Sequence, residues 1–160
     1  MIPSSKVKKE FTTIIKNPIN WDTTSNFQLE KWCLDLDLYK KGGFIGAFSK
    51  DHIRKGFKVN KKTSYIINLD DSDGGGTHWT AYYYKNGGHF FFDSYGLPPP
   101  KNIVNKKKVI YSTNTIQKLP NSCGLLCVIW LYLMTYSNKS FYSIILDMSH
   151  NLNRKNIIDY

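Results

Sequence analysis

Residues 121–136 read NSCGLLCVIWLYLMTY, and this stretch contains no charged side chain. Its apolar residues surround the whole helix axis instead of forming one stripe, which is typical of a helix buried on all sides. Cys123 and Gly124 stand at the start of this predicted helix. A thiol there could pack in the core, form a disulfide, bind a metal or act as a nucleophile, and the rest of the sequence has to decide among these roles.

The length and composition predict a single domain. With 160 residues, 41% of them hydrophobic, the chain can bury a core but is too short for two ordinary domains. Three cysteines, an odd number, argue against a disulfide framework and fit a reducing compartment. No apolar run reaches the ~18 residues of a membrane span, and the N-terminus lacks the apolar core of a signal peptide. We therefore expect a soluble, intracellular protein that is not secreted and does not bind membranes.

The charge balance is strongly basic. The chain has 22 Lys and Arg against 12 Asp and Glu, a formal charge of +10, and the lysines are dispersed in short runs. Such a surface favours contact with polyanions, including non-specific DNA, but it is equally often only a solvated face. Charge alone leaves both interpretations open.

The first 24 residues show no sustained hydrophobic period and contain Pro3 and Pro18. They are therefore predicted to be an arm or irregular lead-in, with one domain over residues 25–160. The first clear element follows, because Ser25 and Gln28 have the capping-box spacing that begins a helix. The apolar stripe of this helix lies at Leu29, Trp32, Cys33 and Leu36, so Cys33 is expected to be packed, and Gly42 with Gly43 to end the helix.

Four segments rich in aromatic and β-branched residues are predicted strands: residues 65–69, 78–84, 89–95 and 108–112. Asn86 and Gly87 between the second and third predict a tight antiparallel hairpin. The sequence GLPPP at 96–100 forces an irregular excursion before the fourth, and FYSIILDMSHNL at 141–152 predicts a last helix. The expected class is α+β, a sheet packed on a buried central helix.

Two segments resemble metal sites only superficially. DDSDGGG at 70–76 fails as a calcium loop, since Gly75 and Tyr82 stand where a ligand and the bidentate Glu are required. Cys123 and Cys127 have three residues between them and no second ligand pair nearby, unlike a zinc site. No metal is expected, and Cys127, one helical turn inside, is interpreted as packing.

His78 is a candidate functional residue because it begins a strand directly after three glycines and a threonine, with Trp79 beside it to form a wall. A histidine at a strand start is usually only a polar terminus. Pairing about the hairpin turn, however, places residue 78 opposite roughly residue 95, so Asp93 lies near the same end of the sheet. A carboxylate within reach would orient the imidazole and favour its protonated form.

Gln117 lies six residues before Cys123, in the loop that leads into the buried helix. Its amide could donate to a developing oxyanion together with the backbone N–H of Cys123. A helix N-terminus and a nearby imidazolium both lower a thiol pKa, which makes Cys123 the expected nucleophile. Gly124 would leave room for the backbone of a substrate.

Together these segments resemble the adenain-like cysteine proteases, the maturation endopeptidases of adenoviruses, virophages and Polinton-type elements, which are related to SUMO-deconjugating proteases. The resemblance covers about residues 25–136 and is carried, in the family's order, by FIGAFSKDHI (44–53), GGGTHWTAYYY (74–84), FFFDSYGLPPP (90–100) and IQKLPNSCGLLC (116–127). It looks most like the virophage and Polinton branch. It implies a papain-like, adenain-type fold with a mixed, mainly antiparallel sheet.

By this resemblance, Cys123 is the nucleophile, His78 the general base, Asp93 its orienter and Gln117 part of the oxyanion hole. It further implies a monomeric enzyme of the virion and infected cell that processes capsid precursors, with DNA or a viral peptide as activator. The chain has Asp93 where adenoviral proteases usually carry Glu. It also has no cysteine between His78 and Cys123, so a disulfide-tethered peptide is not expected there.

Two alternatives stay open. A deconjugating isopeptidase acting on ubiquitin-like tails would use the same catalytic residues, so only the substrate separates it from an endopeptidase. A non-enzymatic, basic nucleic-acid-binding module would instead use the aromatic strands as a stacking platform. A catalytically dead relative is disfavoured because all four catalytic positions are filled.

Overall fold

The computed structural model describes residues 1–22, 24–52, 61–70, 78–104 and 108–150. Its α+β class agrees with the expectation. The elements of this described part are α1 (Ser5–Lys16), α2 (Asn26–Asp35), α3 (Leu38–Lys41), β1 (Phe44–Ser49), β2 (Thr63–Asn68), β3 (Trp79–Lys85), β4 (Gly88–Phe92), α4 (Lys101–Val104), β5 (Val109–Tyr111), α5 (Cys123–Tyr136) and α6 (Phe141–His150), with short 3₁₀ turns at Pro18–Trp21 and Lys50–His52.

The five strands form one sheet in the order β1-β2-β3-β4-β5. The two inner pairs, β2-β3 and β3-β4, are antiparallel, whereas the outer pairs β1-β2 and β4-β5 are parallel. The sheet is therefore mixed, as expected, with parallel pairing confined to its two edges. Both parallel pairs follow long connections, and such connections are what parallel pairing requires.

Strand β1 was not among the predicted strands. It contains Gly46, at φ 141°, and its pairing with β2 is irregular between Phe44 and Ala47. This bulge breaks the alternation of buried and exposed residues by which a strand is recognised in a sequence. The other four strands lie within one or two residues of the predicted bounds, except that β4 ends earlier, at Phe92.

The predicted hairpin is confirmed. Asn86 and Gly87 both have positive φ, 52° and 79°, as a type I′ turn requires. Pairing then runs from Lys85 opposite Gly88 to Ala81 opposite Phe92. Continuing this register brings the residues just before β3 beside those just after β4, and the candidate site lies there.

Helix α5 is buried over its whole length and packs on one face of the sheet. It begins at Cys123, the residue at which the sequence predicted a buried helix to start. The opposite face of the sheet carries a second, smaller apolar cluster around Tyr65, Ile67, Tyr82 and Phe91. Because β2 is covered on both faces, all six of its residues are buried.

The N-terminal segment differs from the expected irregular lead-in, since residues 5–16 form α1. The hydroxyl of Ser4 caps this helix, and its buried residues are Val7, Phe11, Ile14 and Ile15. The ring of Phe11 stacks on Tyr132 of α5 with the ring centroids 3.9 Å apart. Pro3 precedes the helix and Pro18 follows it, so neither proline interrupts it, and the apolar spacing among the lysines is helical after all.

Helix α2 begins as predicted, with the Ser25 hydroxyl accepting a hydrogen bond from the Gln28 backbone N–H. It ends earlier than predicted, at Asp35, because Asp37 adopts a left-handed conformation (φ 57°). The short α3 follows and ends at Lys41, with Gly42 as its C-cap. Cys33 is fully buried, in agreement with its predicted packing role. Most of the calcium-like segment 70–76 and the end of the predicted last helix lie outside the described residues. In the described part of the chain, every helix is too short or too polar to span a bilayer.

Candidate active site

The hairpin brings His78 and Asp93 together. His78 directly precedes β3, Asp93 directly follows β4, and His78 Nε2 lies 2.8 Å from Asp93 Oδ1. Both residues are buried, at 8% and 4% exposure. A hydrogen bond this short between buried groups fixes the ring plane and its tautomer. The juxtaposition predicted from the turn is therefore present.

Asp93 is held by the turn that follows it. Its Oδ1 also accepts a hydrogen bond of 2.8 Å from the Tyr95 backbone N–H, and Gly96 N–H donates to its backbone carbonyl. Among the described residues Oδ2 is buried without a hydrogen-bond partner. The Tyr95 ring stacks on the His78 imidazole at 4.6 Å between centroids and an interplanar angle of 24°. Tyr95 thus covers one face of the imidazole while the residue as a whole is 46% exposed.

Cys123 is the first residue of α5, so its thiol stands at the positive end of a helix of 14 residues. The Trp79 backbone N–H donates to Cys123 Sγ at 3.5 Å. The His78 imidazole lies close enough to this thiol for each group to shift the pKa of the other. Since Nε2 of the imidazole is bonded to Asp93, Nδ1 is the ring nitrogen left for Cys123. The sulfur, the imidazole and the carboxylate therefore lie together at one end of the sheet.

The pKa values of the two central groups shift in opposite directions. Burial acts to lower the pKa of His78, but the hydrogen bonds to Asp93 and Cys123 and the charges of these partners raise it to about 9. Burial acts to raise the pKa of Cys123, but the hydrogen bond from His78, the N–H of Trp79, the imidazolium charge and the N–H of Gly124 lower it. Each shift favours the charged form of its group, and the two together favour a thiolate–imidazolium pair.

Two hydrogen bonds hold the side-chain amide of Gln117, and neither of them is to Cys123. Its Oε1 accepts from the Ser94 hydroxyl at 2.7 Å, and its Nε2 donates to the Leu119 carbonyl at 3.1 Å. One N–H of the amide therefore remains for another acceptor. The predicted oxyanion role of Gln117 stays a prediction, because these contacts show where the amide is anchored and not what it binds.

The two residues expected to contact substrate have different surroundings. Trp79 is partly buried, and its indole N–H donates to the Thr24 carbonyl at 3.3 Å. A Cβ at Gly124 would lie 2.4 Å from Thr24 Oγ1 and 3.1 Å from Leu29 Cδ2. The space expected to admit a substrate backbone is thus filled by the chain itself on this side. Internal packing is sufficient reason for glycine at this position, and substrate contact remains untested.

The other two cysteines are poorly placed to form a thiolate. Cys33 and Cys127 are both 0% exposed, and burial raises the pKa of each thiol. Within the described residues, no group of three or more His, Cys, Asp or Glu side chains is arranged to hold a metal ion. Cys123 is therefore the one thiol, among all three in the chain, whose surroundings favour the thiolate.

Three residues near the site had no individual role assigned from the sequence, although two of them stand in a segment that carries the resemblance: Thr24, Ser94 and Tyr95. Ser94 and Tyr95 directly follow Asp93, so a turn anchoring that carboxylate was a recognisable signal. Thr24 belongs to the supposed lead-in and reaches the site only through the tertiary fold. No local pattern could have placed it against Gly124.

No protein-family model matches the chain, and no curated protein matches it in sequence. Among solved structures, it is similar to the crystal structure of the ASFV pS273R protease, with a TM-score of 0.58 and 16% sequence identity over 98% of this chain and 68% of that chain. At this identity the likeness shows the fold alone. The placement near adenain or the virophage branch is not supported by this comparison and stays a prediction. The chain has the fold of a protease.

Proposed function

We propose that the protein is a cysteine protease in which Cys123 is the nucleophile, His78 the general acid and base, and Asp93 the group that orients His78. One observation carries the proposal: the His78 imidazole hydrogen-bonds the buried Asp93 carboxylate at 2.8 Å, and the next residue, Trp79, donates its backbone N–H to the Cys123 thiol at 3.5 Å. A nucleophile, a base and an orienting third group within hydrogen-bond reach are the signature of nucleophilic acyl transfer.

The reaction would begin with attack of the Cys123 thiolate on the scissile carbonyl carbon, forming a tetrahedral oxyanion. The second Gln117 amide N–H and the Cys123 backbone N–H would donate to that oxyanion. Collapse of the intermediate breaks the C–N bond as His78 protonates the leaving amine. Water, deprotonated by His78, then hydrolyses the thioester, and the thiolate–imidazolium pair is restored.

The lowered pKa of Cys123 fits its role in this scheme. A thiol attacks only as the thiolate, and Trp79 N–H, Gly124 N–H and the imidazolium all stabilise the negative sulfur. The raised pKa of His78 keeps a proton on the ring for the leaving amine at neutral pH. Both shifts thus favour the charge states that the first step needs.

The natural substrate is proposed by motif resemblance: precursors of viral capsid proteins, cut in the virion or infected cell. An isopeptidase acting on ubiquitin-like tails is the alternative, and it requires no change in the catalytic residues. The two are separated by incubating the protein with a capsid precursor and with a ubiquitin-like precursor and observing which is cleaved.

Non-specific DNA is a further proposed partner, supported by the formal charge of +10. A labelled duplex should bind at low salt, with affinity falling as salt rises. If alkylation of Cys123 leaves this binding unchanged and no peptide is ever cut, the chain is better described as a nucleic-acid-binding module. If DNA raises the rate of peptide cleavage, it acts as an activator.

The direct test uses the wild-type protein, iodoacetamide and mass spectrometry. Cys123 should be the fastest-labelled thiol at neutral pH, with Cys33 and Cys127 labelled only on unfolding. An internally quenched peptide library should be cleaved by the wild-type protein, and prior labelling of Cys123 should abolish cleavage. Cleavage that survives complete alkylation of Cys123 would refute the assignment.

A further inference from the structure

Ser94 links the segment that contains Asp93 to the segment that leads to Cys123. It follows Asp93 directly, is 0% exposed, and lies against the segment that leads to Cys123. Its backbone carbonyl accepts hydrogen bonds from Ile116 N–H at 2.7 Å and Gln117 N–H at 2.9 Å. Its hydroxyl donates to Gln117 Oε1 at 2.7 Å. Gln117 is therefore held by Ser94 through both its main chain and its side chain.

The NH₂ end of the Gln117 amide faces a hydrogen-bond acceptor, the Leu119 carbonyl. Its Nε2 donates to the Leu119 carbonyl, which also accepts a hydrogen bond of 2.8 Å from the Ser122 hydroxyl. Reversing the amide would set Oε1 against the Leu119 oxygen, with two acceptors and no hydrogen between them. The amide can satisfy both neighbours in one orientation only, with its oxygen towards Ser94 and its NH₂ group towards Leu119.

We propose that Ser94 is a positioning residue that anchors the Gln117 amide at its oxygen, in the orientation that the Leu119 carbonyl selects, so that its second N–H is aimed at the oxyanion during acyl transfer. This inference rests on the proposed function. A pre-oriented donor loses no rotamer freedom when charge develops, which is the source of its advantage over a mobile one. The bond to Oε1 also polarises the amide and strengthens its N–H groups as donors.

The test compares Ser94→Ala with wild type on the peptide that wild type cuts fastest in the quenched library. The variant keeps both backbone hydrogen bonds to the Ser94 carbonyl and removes only the hydroxyl. We expect kcat to fall ~10-fold with KM changed less than about twofold, since the lost interaction acts in the transition state. The rate of iodoacetamide labelling at Cys123 should stay within about twofold of wild type, because alkylation forms no oxyanion.

Ser64→Ala is the matched control. Ser64 is likewise buried, and its hydroxyl donates to the Gly42 carbonyl at 2.9 Å, in strand β2 away from Cys123. It should lose stability by an amount similar to Ser94→Ala in a urea titration, with kcat unchanged. A fall in both cleavage and labelling in Ser94→Ala would indicate structural damage to the site and overturn the positioning role.

A double-mutant cycle with Gln117→Ala completes the test. If Ser94 acts through Gln117, Ser94→Ala should change kcat by less than about twofold once Gln117 is already alanine. An undiminished ~10-fold effect in that background would overturn the inference while leaving the protease assignment intact. If wild type shows no thiol-dependent cleavage, the proposed function itself fails, and the two failures are thereby distinguished.

Discussion

The backbone N–H of Trp79 donates a hydrogen bond to the sulfur of Cys123 at 3.5 Å, which ties the first residue of β3 to the first residue of α5. The sheet and the central helix thus meet at the sulfur of Cys123. Because Trp79 follows His78, the strand that positions the imidazole also supplies a donor to the thiolate. The electrostatics of the site therefore depend on the packing of α5 against the sheet.

The pH dependence of cleavage should be bell-shaped, with its alkaline limb near pH 9. The lowered pKa of Cys123 sets the acid limb, and the pKa of His78, about 9, sets the alkaline limb, because the ring must carry a proton for the leaving amine. The measurement is kcat/KM against pH on a quenched peptide. An alkaline limb near the ordinary histidine value of about 6.5 would contradict the inferred ion pair.

Asp93→Asn should move the alkaline limb to lower pH and reduce kcat at least ~10-fold, since the carboxylate charge that favours the imidazolium is lost.

The raised pKa of His78 also stabilises the fold at pH values below the unfolded pKa of about 6.5, and this stabilisation is lost as pH rises through about 9. Urea titrations at about pH 6 and about pH 10 should therefore show the Asp93→Asn deficit shrinking at the higher pH. Asp147→Asn, which breaks a surface pair with Lys139, is the control and should change neither profile.

Cys123→Ala should abolish cleavage, whereas Cys127→Ala should retain most of it. Cys127 is fully buried one turn further along α5, so its truncation leaves a small cavity that costs about 1–2 kcal/mol of stability. Both variants are assayed for cleavage and for thermal unfolding. A dispensable Cys123 with an indispensable Cys127 would reverse the assignment of the nucleophile.

Gln117→Ala should lower kcat about 10²-fold if its amide serves the oxyanion. The neighbouring Lys118 is exposed, and Lys118→Ala provides a control in the same loop that should cleave at the wild-type rate. Labelling of Cys123 by iodoacetamide should be equal in both variants. Equal cleavage by Gln117→Ala and wild type would remove Gln117 from the mechanism.

Gly124→Ala should destabilise the protein by about 1–3 kcal/mol, because the new methyl group would lie 2.4 Å from Thr24 Oγ1. Adding Thr24→Ala removes that oxygen and should restore a large part of the stability, as measured by urea titration. A Gly124→Ala protein that is fully stable but inactive would instead indicate a steric block to substrate. The pair thus separates internal packing from the substrate role predicted for Gly124.

Phe11→Ala should destabilise the fold by about 3–5 kcal/mol, since Phe11 is buried and stacks on Tyr132 of α5. Lys9→Ala, on the exposed face of the same helix, should change stability by less than about 0.5 kcal/mol. Thermal or urea unfolding compares the two variants. Equal stability of both would show that α1 contributes little to the folded core.

Features encoded by neighbouring residues were predictable from the sequence. The Ser25 N-cap, the all-round apolar surface of α5 and the Asn86-Gly87 turn each depend on contacts within a few residues. The His78–Asp93 contact was predictable too, because a two-residue turn sets the register of the hairpin and hence which residues meet at its open end.

The remaining features were decided only by the tertiary structure, because they depend on contacts between distant parts of the chain. The parallel pairing of β1 with β2 and of β4 with β5 joins segments whose separation no local period encodes. The same holds for the docking of α1 on α5, the placement of Thr24 against Gly124 and the attachment of Gln117 to Ser94. The sequence alone determined which groups could react; long-range packing decided which atoms hold them in place.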